Sequence, residues 1–174
     1  QVIGIIQPLP TAPDKQIPQV YGIGGAGRIT AFEETKDERF EITLTGISRK
    51  AIIKELKVTT RYRQVAPDWE RYIAARWGDD PSTGIDRNRL FTALRAYLEL
   101  AQIPADWDAI AIAETGPLIK SLVMICPFEP AEKQALLEAY ELFERSQILT
   151  ALVEMSLMHH ASGGKEHQDT DKIH

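Results

Sequence analysis

The sequence predicts an α+β fold, an antiparallel β-barrel or strongly curved sheet followed by a helical bundle. Two observations carry that expectation. Residues 1–75 hold short runs in which apolar and polar residues alternate, separated by Gly, Pro and charged turns. Residues 85–160 instead repeat apolar residues at three- and four-residue spacing, punctuated by Pro and Asp. Residues 161–174 are polar and read as a disordered tail.

In the β half, Val2 to Ile6 is a short strand-like run ended by Pro8 and Pro10. Pro8, Pro10, Pro13 and Pro18 make residues 8–18 a loop that cannot join a central strand. Arg28 to Glu33 and Phe40 to Thr45 alternate, and Thr35 to Arg39 between them is a polar connection of hairpin length. Gly46 is expected to end the second of these strands. Ala51 to Leu56 and Tyr62 to Val65 supply two more candidates.

In the α half, Asp86 is placed to cap a helix whose apolar face is Leu90, Leu94, Tyr97, Leu98 and Ala101, with Ile85 as a hydrophobic staple on Leu90. Pro104 stops that helix, and Asp106 caps a short one through Ala113. Pro117 can sit in the first turn of a helix through Cys126, and Pro127 ends it. Pro130 opens one long segment in which Leu136, Leu137, Tyr140 and Phe143 face inward, followed by Leu149, Leu152, Val153 and Leu157. Glu141 and Arg145 stand four apart in the favourable order for an ion pair. Arg76 to Thr83 reads as a polar hinge, and Trp69, Trp77 and Trp107 as packing where the two halves join.

Several functions are disfavoured by what the chain contains. A formal charge of -5 argues against nucleic acid, which needs clustered Lys and Arg. No apolar stretch reaches the roughly 20 residues of a membrane span. The single cysteine, Cys126, lies in an apolar run and reads as a buried thiol, which suits a reducing, cytoplasmic setting. Gly22 to Gly27 matches G-x-G-x-x-G, but the residues that follow alternate like a strand. A dinucleotide site needs a helix there, so a glycine-rich turn or bulge before a strand is the expectation. No P-loop and no nucleophile elbow is present. Ser156 and Ser162 lie near His159 and His160 without an acidic partner to orient a base, and His167 and His174 fall in the polar tail. Glu33-Glu34 and Asp79-Asp80 are neighbours that point to opposite faces of an extended chain, so neither pair converges. No catalytic residue, metal site or cofactor is expected.

Four stretches in order carry a resemblance: Ile3 to Pro8, Gly27-Arg28-Ile29, Phe40 to Arg49, and Glu132 to Glu138. Together they resemble the N-terminal, substrate-recognition domain of the Lon protease family, and more closely the bacterial proteins that consist of that domain alone. The resemblance spans residues 2 to 157. It implies a PUA-like β-barrel followed by helices, and a polypeptide-binding module without catalytic residues. The chain departs from the family in three places. Lys50 stands where an aromatic residue usually follows the arginine matched by Arg49. Glu129 precedes Pro130 where Ser or Asp would cap better. The family's opening β segment is missing before Val2, so native N-terminal sequence and a gap in the sheet are expected. Neither the ATPase nor the Ser-Lys peptidase of Lon proteases is found in this stretch.

The resulting expectation is a non-catalytic module for unfolded or partly folded polypeptide, working with a protease or chaperone partner. The candidate contact residues are Tyr21, Phe32, Arg49 and Tyr62, with the Pro8 to Pro18 loop. A PUA-like RNA-binding protein and a regulatory scaffold are the competing readings. The sequence leaves the oligomeric state open.

Overall fold

The computed structural model describes residues 1–10, 17–72 and 84–163. The chain divides into two compact units, Gln1–Asp79 and Asp80–His174. Pro13, the Arg76 to Thr83 hinge with Trp77 and Asp79-Asp80, and the tail beyond residue 163 lie outside the described residues. The last helix runs on to Gly163.

The first unit is an antiparallel sheet of β1 (Val2–Ile5), β2 (Ile23–Glu34), β3 (Phe40–Leu56) and β4 (Gln64–Asp68), in the order β1-β2-β3-β4. A 3-10 turn, Glu70–Tyr72, follows. Among the described residues β1 and β4 stand at opposite ends of the sheet and do not pair with each other, so these four strands make an open sheet and not a closed barrel.

Gly46 does not end a strand, because β3 runs for 17 residues. Straight, it would reach roughly 55 Å. Three bulges bend the ladder instead. Pairing steps from Ala26↔Ser48 to Gly27↔Gly46, which leaves Ile47 unmatched on β3. Between Ile29↔Leu44 and Ala31↔Thr43 the extra residue is Thr30 on β2, and between Ile52↔Pro67 and Lys54↔Ala66 it is Ile53 on β3. Tyr62 falls outside β4, which begins at Gln64. The connection before it is tied by Thr60 Oγ1 donating to the Tyr62 carbonyl at 2.7 Å and by Arg63, which grips Glu55 at 2.6 and 2.7 Å and the Pro18 carbonyl at 2.9 Å.

The glycine run is neither a phosphate loop nor a turn. From Ile23 it is strand, with a bulge opposite Ala26 and Gly27, and no helix follows. The physical need for glycine is local. A Cβ on Gly24 would sit 2.6 Å from the Ile5 carbonyl oxygen and 2.8 Å from Ile6 Cγ1, so β1 can cross only over bare backbone. Gly22 and Gly25 have open space around the same position.

The second unit holds α1 (Arg87–Leu100), α2 (Trp107–Ile112), α3 (Thr115–Ile125), α4 (Pro130–Glu138) and α5 (Leu142–Gly163). Its core is one cluster that includes Leu90, Leu94, Tyr97, Leu98, Ile119, Leu136, Leu149 and Val153. Ile85 and Leu152 pack against it half-buried. Asp86 and Asp106 cap α1 and α2, accepting the N–H groups of Arg89 at 2.9 Å and Ala109 at 3.0 Å. Helix α1 stops before Pro104. Gln102 takes a left-handed conformation (φ 55), and Ile103 N–H reaches the Leu98 carbonyl at 2.9 Å. Ala101 is therefore the exposed end of the helix and not part of its apolar face. Helix α3 starts at Thr115, two residues before Pro117. Glu129 precedes α4 as its cap residue, and its N–H is taken by Glu132 Oε2 at 2.8 Å.

The long final segment is two helices. Ala139 turns extended (ψ 120), which shifts the phase of the apolar stripe and leaves Tyr140 and Phe143 exposed. Arg145 does not serve as a surface partner of Glu141. It is buried, and its guanidinium donates to the Leu136 and Ala139 carbonyls at 3.0 and 3.2 Å, groups that the end of α4 leaves open.

Gly24→Ala is expected to destabilise the protein by about 1–3 kcal/mol through overpacking against backbone that cannot withdraw. Gly25→Ala should stay within about 0.5 kcal/mol. Urea unfolding of both variants checks the pair, and equal costs would remove the role assigned to Gly24.

Candidate functional site

Strand β1 pairs with β2 only over Gly25 to Arg28, and β4 pairs with β3 only over Ala51 to Leu56. Beyond those limits β2 and β3 continue as a ribbon of two strands, from Ile29↔Leu44 to Glu34↔Phe40. Its described residues are exposed on both faces, apart from half-buried Ile29, Thr35 and Leu44. Isolated two-stranded ribbons are marginal in water, so this arm needs its own fastenings. Thr30 and Thr45 hydroxyls meet at 3.3 Å. At the tip, Thr35 N–H donates to the Arg39 carbonyl at 2.8 Å and Glu38 N–H to the Thr35 carbonyl at 3.1 Å, with Glu38 left-handed at φ 61. The Thr35 hydroxyl also donates to Asp37, which pairs with Arg39 at 3.1 Å.

One face of the arm is apolar. Phe32 lies across from Ile42, and Phe40 follows two positions away on the same face. The Phe32 and Phe40 rings stack with centroids 4.9 Å apart. Yet Phe32 is 60% exposed, Phe40 54% and Ile42 45%. Three large side chains held together without being covered form a ready contact surface. The other face carries Glu33 directly opposite Glu41.

The four residues expected from the sequence are not gathered on this surface. Phe32 is on it. Tyr62 is also exposed, but it follows the far end of β3, a strand's length away along the sheet. Tyr21 is half-buried beside the Pro8↔Val20 bridge, its N–H donating to the Gln7 carbonyl at 3.0 Å. Arg49 stacks its guanidinium 4.3 Å from the buried Tyr72 ring, a contact internal to the β unit. Phe40 and Ile42 share the face of Phe32 and were not among the residues expected from the sequence. Counting outward from the Thr35 to Arg39 connection places both beside Phe32, so the signal was present.

Lys50 is buried, with its ammonium 5.6 Å from the Trp69 ring centroid. Burial pushes its pKa down. The side chain lies across Gly4, where a Cβ would come within 2.6 Å of Nζ. Lys50 thus packs inward and displays no aromatic surface at that position. Cys126 is fully buried and burial raises its thiol to about 11, so it is protonated at neutral pH. Among the described residues no three His, Cys, Asp or Glu converge to hold a metal, and no helix is long and apolar enough to cross a membrane.

A concavity of about 590 Å³ in the helical unit is lined by Phe91, Arg95, Trp107 and Ile110 among others. Arg95 stacks 4.6 Å from the Trp107 ring and Arg87 4.7 Å from Phe91. Arg87 also donates to Thr115 Oγ1 at 2.7 Å and to the Ile110, Ala111 and Ala113 carbonyls at 3.1, 3.0 and 2.6 Å. These cations fasten α2, which buries no residue fully, to α1.

Residues 2–154 match the family described as the ATP-dependent protease La (LON) substrate-binding domain. The chain belongs to this Lon substrate-binding domain family. Two solved structures agree in fold. The Lon N-terminal domain protein from Xanthomonas campestris is 16% identical, with a TM-score of 0.52 over 87% of this chain and 75% of that one. The N-terminal domain of Mycobacterium avium complex Lon protease is 14% identical, with a TM-score of 0.54 over 88% and 90%. Among curated proteins none matches. The α+β architecture of the Lon substrate-binding domain is therefore the frame in which the arm is displayed.

Because Phe32 and Phe40 are exposed, Phe32→Ala and Phe40→Ala should each change global stability by less than about 1 kcal/mol while loosening the arm. Hydrogen exchange should then rise over residues 29–44 alone, and a rise across the whole sheet would show that the pair holds the unit together. The Cys126 thiol should resist labelling at pH 8 in the folded protein and react only on unfolding. Rapid labelling of folded protein would contradict its burial.

Proposed function

We propose that this chain is a non-catalytic binding module for unfolded or partly folded polypeptide, acting alongside a protease or chaperone. The observation that carries this reading is the Phe32, Phe40 and Ile42 face of the two-stranded arm. Apolar side chains of a non-native segment are what such a face can recognise, because native proteins bury theirs. Membership of a family named for substrate binding supports the same reading. The carboxylates that crowd the arm work against RNA, whose phosphates they would repel.

An ordered arm gripping a disordered ligand should bind weakly, with Kd of roughly micromolar or above, since the ligand loses chain entropy. Titrating the protein with a reduced, unfolded polypeptide and separately with single-stranded RNA, each at 50 and 300 mM salt, tests this. The expected result is polypeptide binding that survives the higher salt and is lost in the Phe32→Ala/Phe40→Ala double variant. Salt-sensitive RNA binding without polypeptide binding would overturn the proposal.

A further inference from the structure

Over residues 29–44 the arm carries five carboxylates, Glu33, Glu34, Asp37, Glu38 and Glu41, against two cations, Lys36 and Arg39. All seven of these side chains are exposed. Arg39 is already engaged by Asp37 at 3.1 Å. Glu34 lies opposite Phe40 and so shares the apolar face, beside the stacked rings. On the reverse face Glu33 and Glu41 are directly paired across the strands, a like-charge arrangement that disfavours the ribbon. The arm thus carries an excess of negative charge, with Glu34 on the apolar face and Glu33 and Glu41 on the reverse.

We propose that the arm selects non-native segments whose apolar residues are flanked by Lys or Arg. This rests on the polypeptide-binding reading and adds the class of polypeptide. Apolar side chains of the ligand cover Phe32, Phe40 and Ile42. Its neighbouring cations meet Glu34 on that face and Glu33 and Glu41 around the edge of a ribbon only two strands wide. Segments flanked by Asp or Glu are repelled at the same contacts, so the arm discriminates by charge as well as by hydrophobicity. An anionic lipid surface is disfavoured on the same grounds.

Three synthetic peptides with one shared apolar centre, flanked by two lysines, two glutamines or two glutamates on each side, form the test. Binding is measured by fluorescence anisotropy at 50 and 300 mM NaCl, on wild type and on a Glu33→Gln/Glu34→Gln/Glu41→Gln variant. The expected order is lysine over glutamine over glutamate, with roughly tenfold between the extremes at low salt, a gap that narrows at high salt. In the triple glutamine variant the gap should close while the glutamine-flanked peptide still binds. Circular dichroism confirms that this variant is folded. Equal binding of all three peptides by wild type, or a preference that persists in the variant, overturns this inference and leaves the polypeptide-binding reading standing. Failure of the glutamine-flanked peptide to bind wild type at all overturns both.

Discussion

The β unit depends on one constraint: β3 must serve two partners along a single unbroken strand. From Phe40 to Ala51 it pairs with β2 and from Ala51 to Leu56 with β4, so at Ala51 it faces Ile23 on one side and Asp68 on the other. A flat strand could not do this within a small unit, so the chain spends a bulged residue at Ile47 and another at Ile53 to bend it. Bare glycine at positions 24 and 27 lets neighbouring strands close on the bent region. The arm follows from the same geometry. Where β1 and β4 give out, β2 and β3 still pair, and their remaining length stands as a ribbon with both faces in solvent.

The helical unit solves a different problem, that of short helices with many open ends. Arg87 gathers the carbonyls at the end of α2, and Arg145 gathers those at the end of α4. One side chain with five donors in a planar fork suits such a task better than a lysine. With the ends satisfied, the Leu-rich core can close on itself. The exposed stacked aromatics then stand in the β unit, where a ribbon of two strands has no layer of its own to cover them.

Much of the architecture was legible in the residues. Alternation marked the strands on both sides of the Thr35 to Arg39 connection, and aspartates 86 and 106 marked two helix starts. The strand-like residues after Gly27 were enough to set aside the dinucleotide motif. Other features were misread for identifiable reasons. Gly46 looks like a strand end, because a bulge that tolerates glycine and a turn that requires it have the same local signature. Tyr140 and Phe143 fit an inward stripe only while the helix is continuous, and the break at Ala139 resets the phase.

What the sequence by itself determined is the division into strands and helices, most of the helical core and the family. Those rest on periodicities of two and three to four residues and on ordered local runs, and both are properties of neighbours along the chain. That the face formed by Phe32, Phe40 and Ile42 stays uncovered was decided by tertiary structure. Phe32, Phe40 and Ile42 become one surface through cross-strand register, whereas Tyr62, equally aromatic and exposed, is carried to the other end of β3. Arg49 was drawn into a stack on Tyr72, and Lys50 into the interior beside Trp69. The hairpin count gives the register near the arm's tip, but bulge position and the reach of an end strand are set by contacts between distant residues, and no single stretch of sequence contains them.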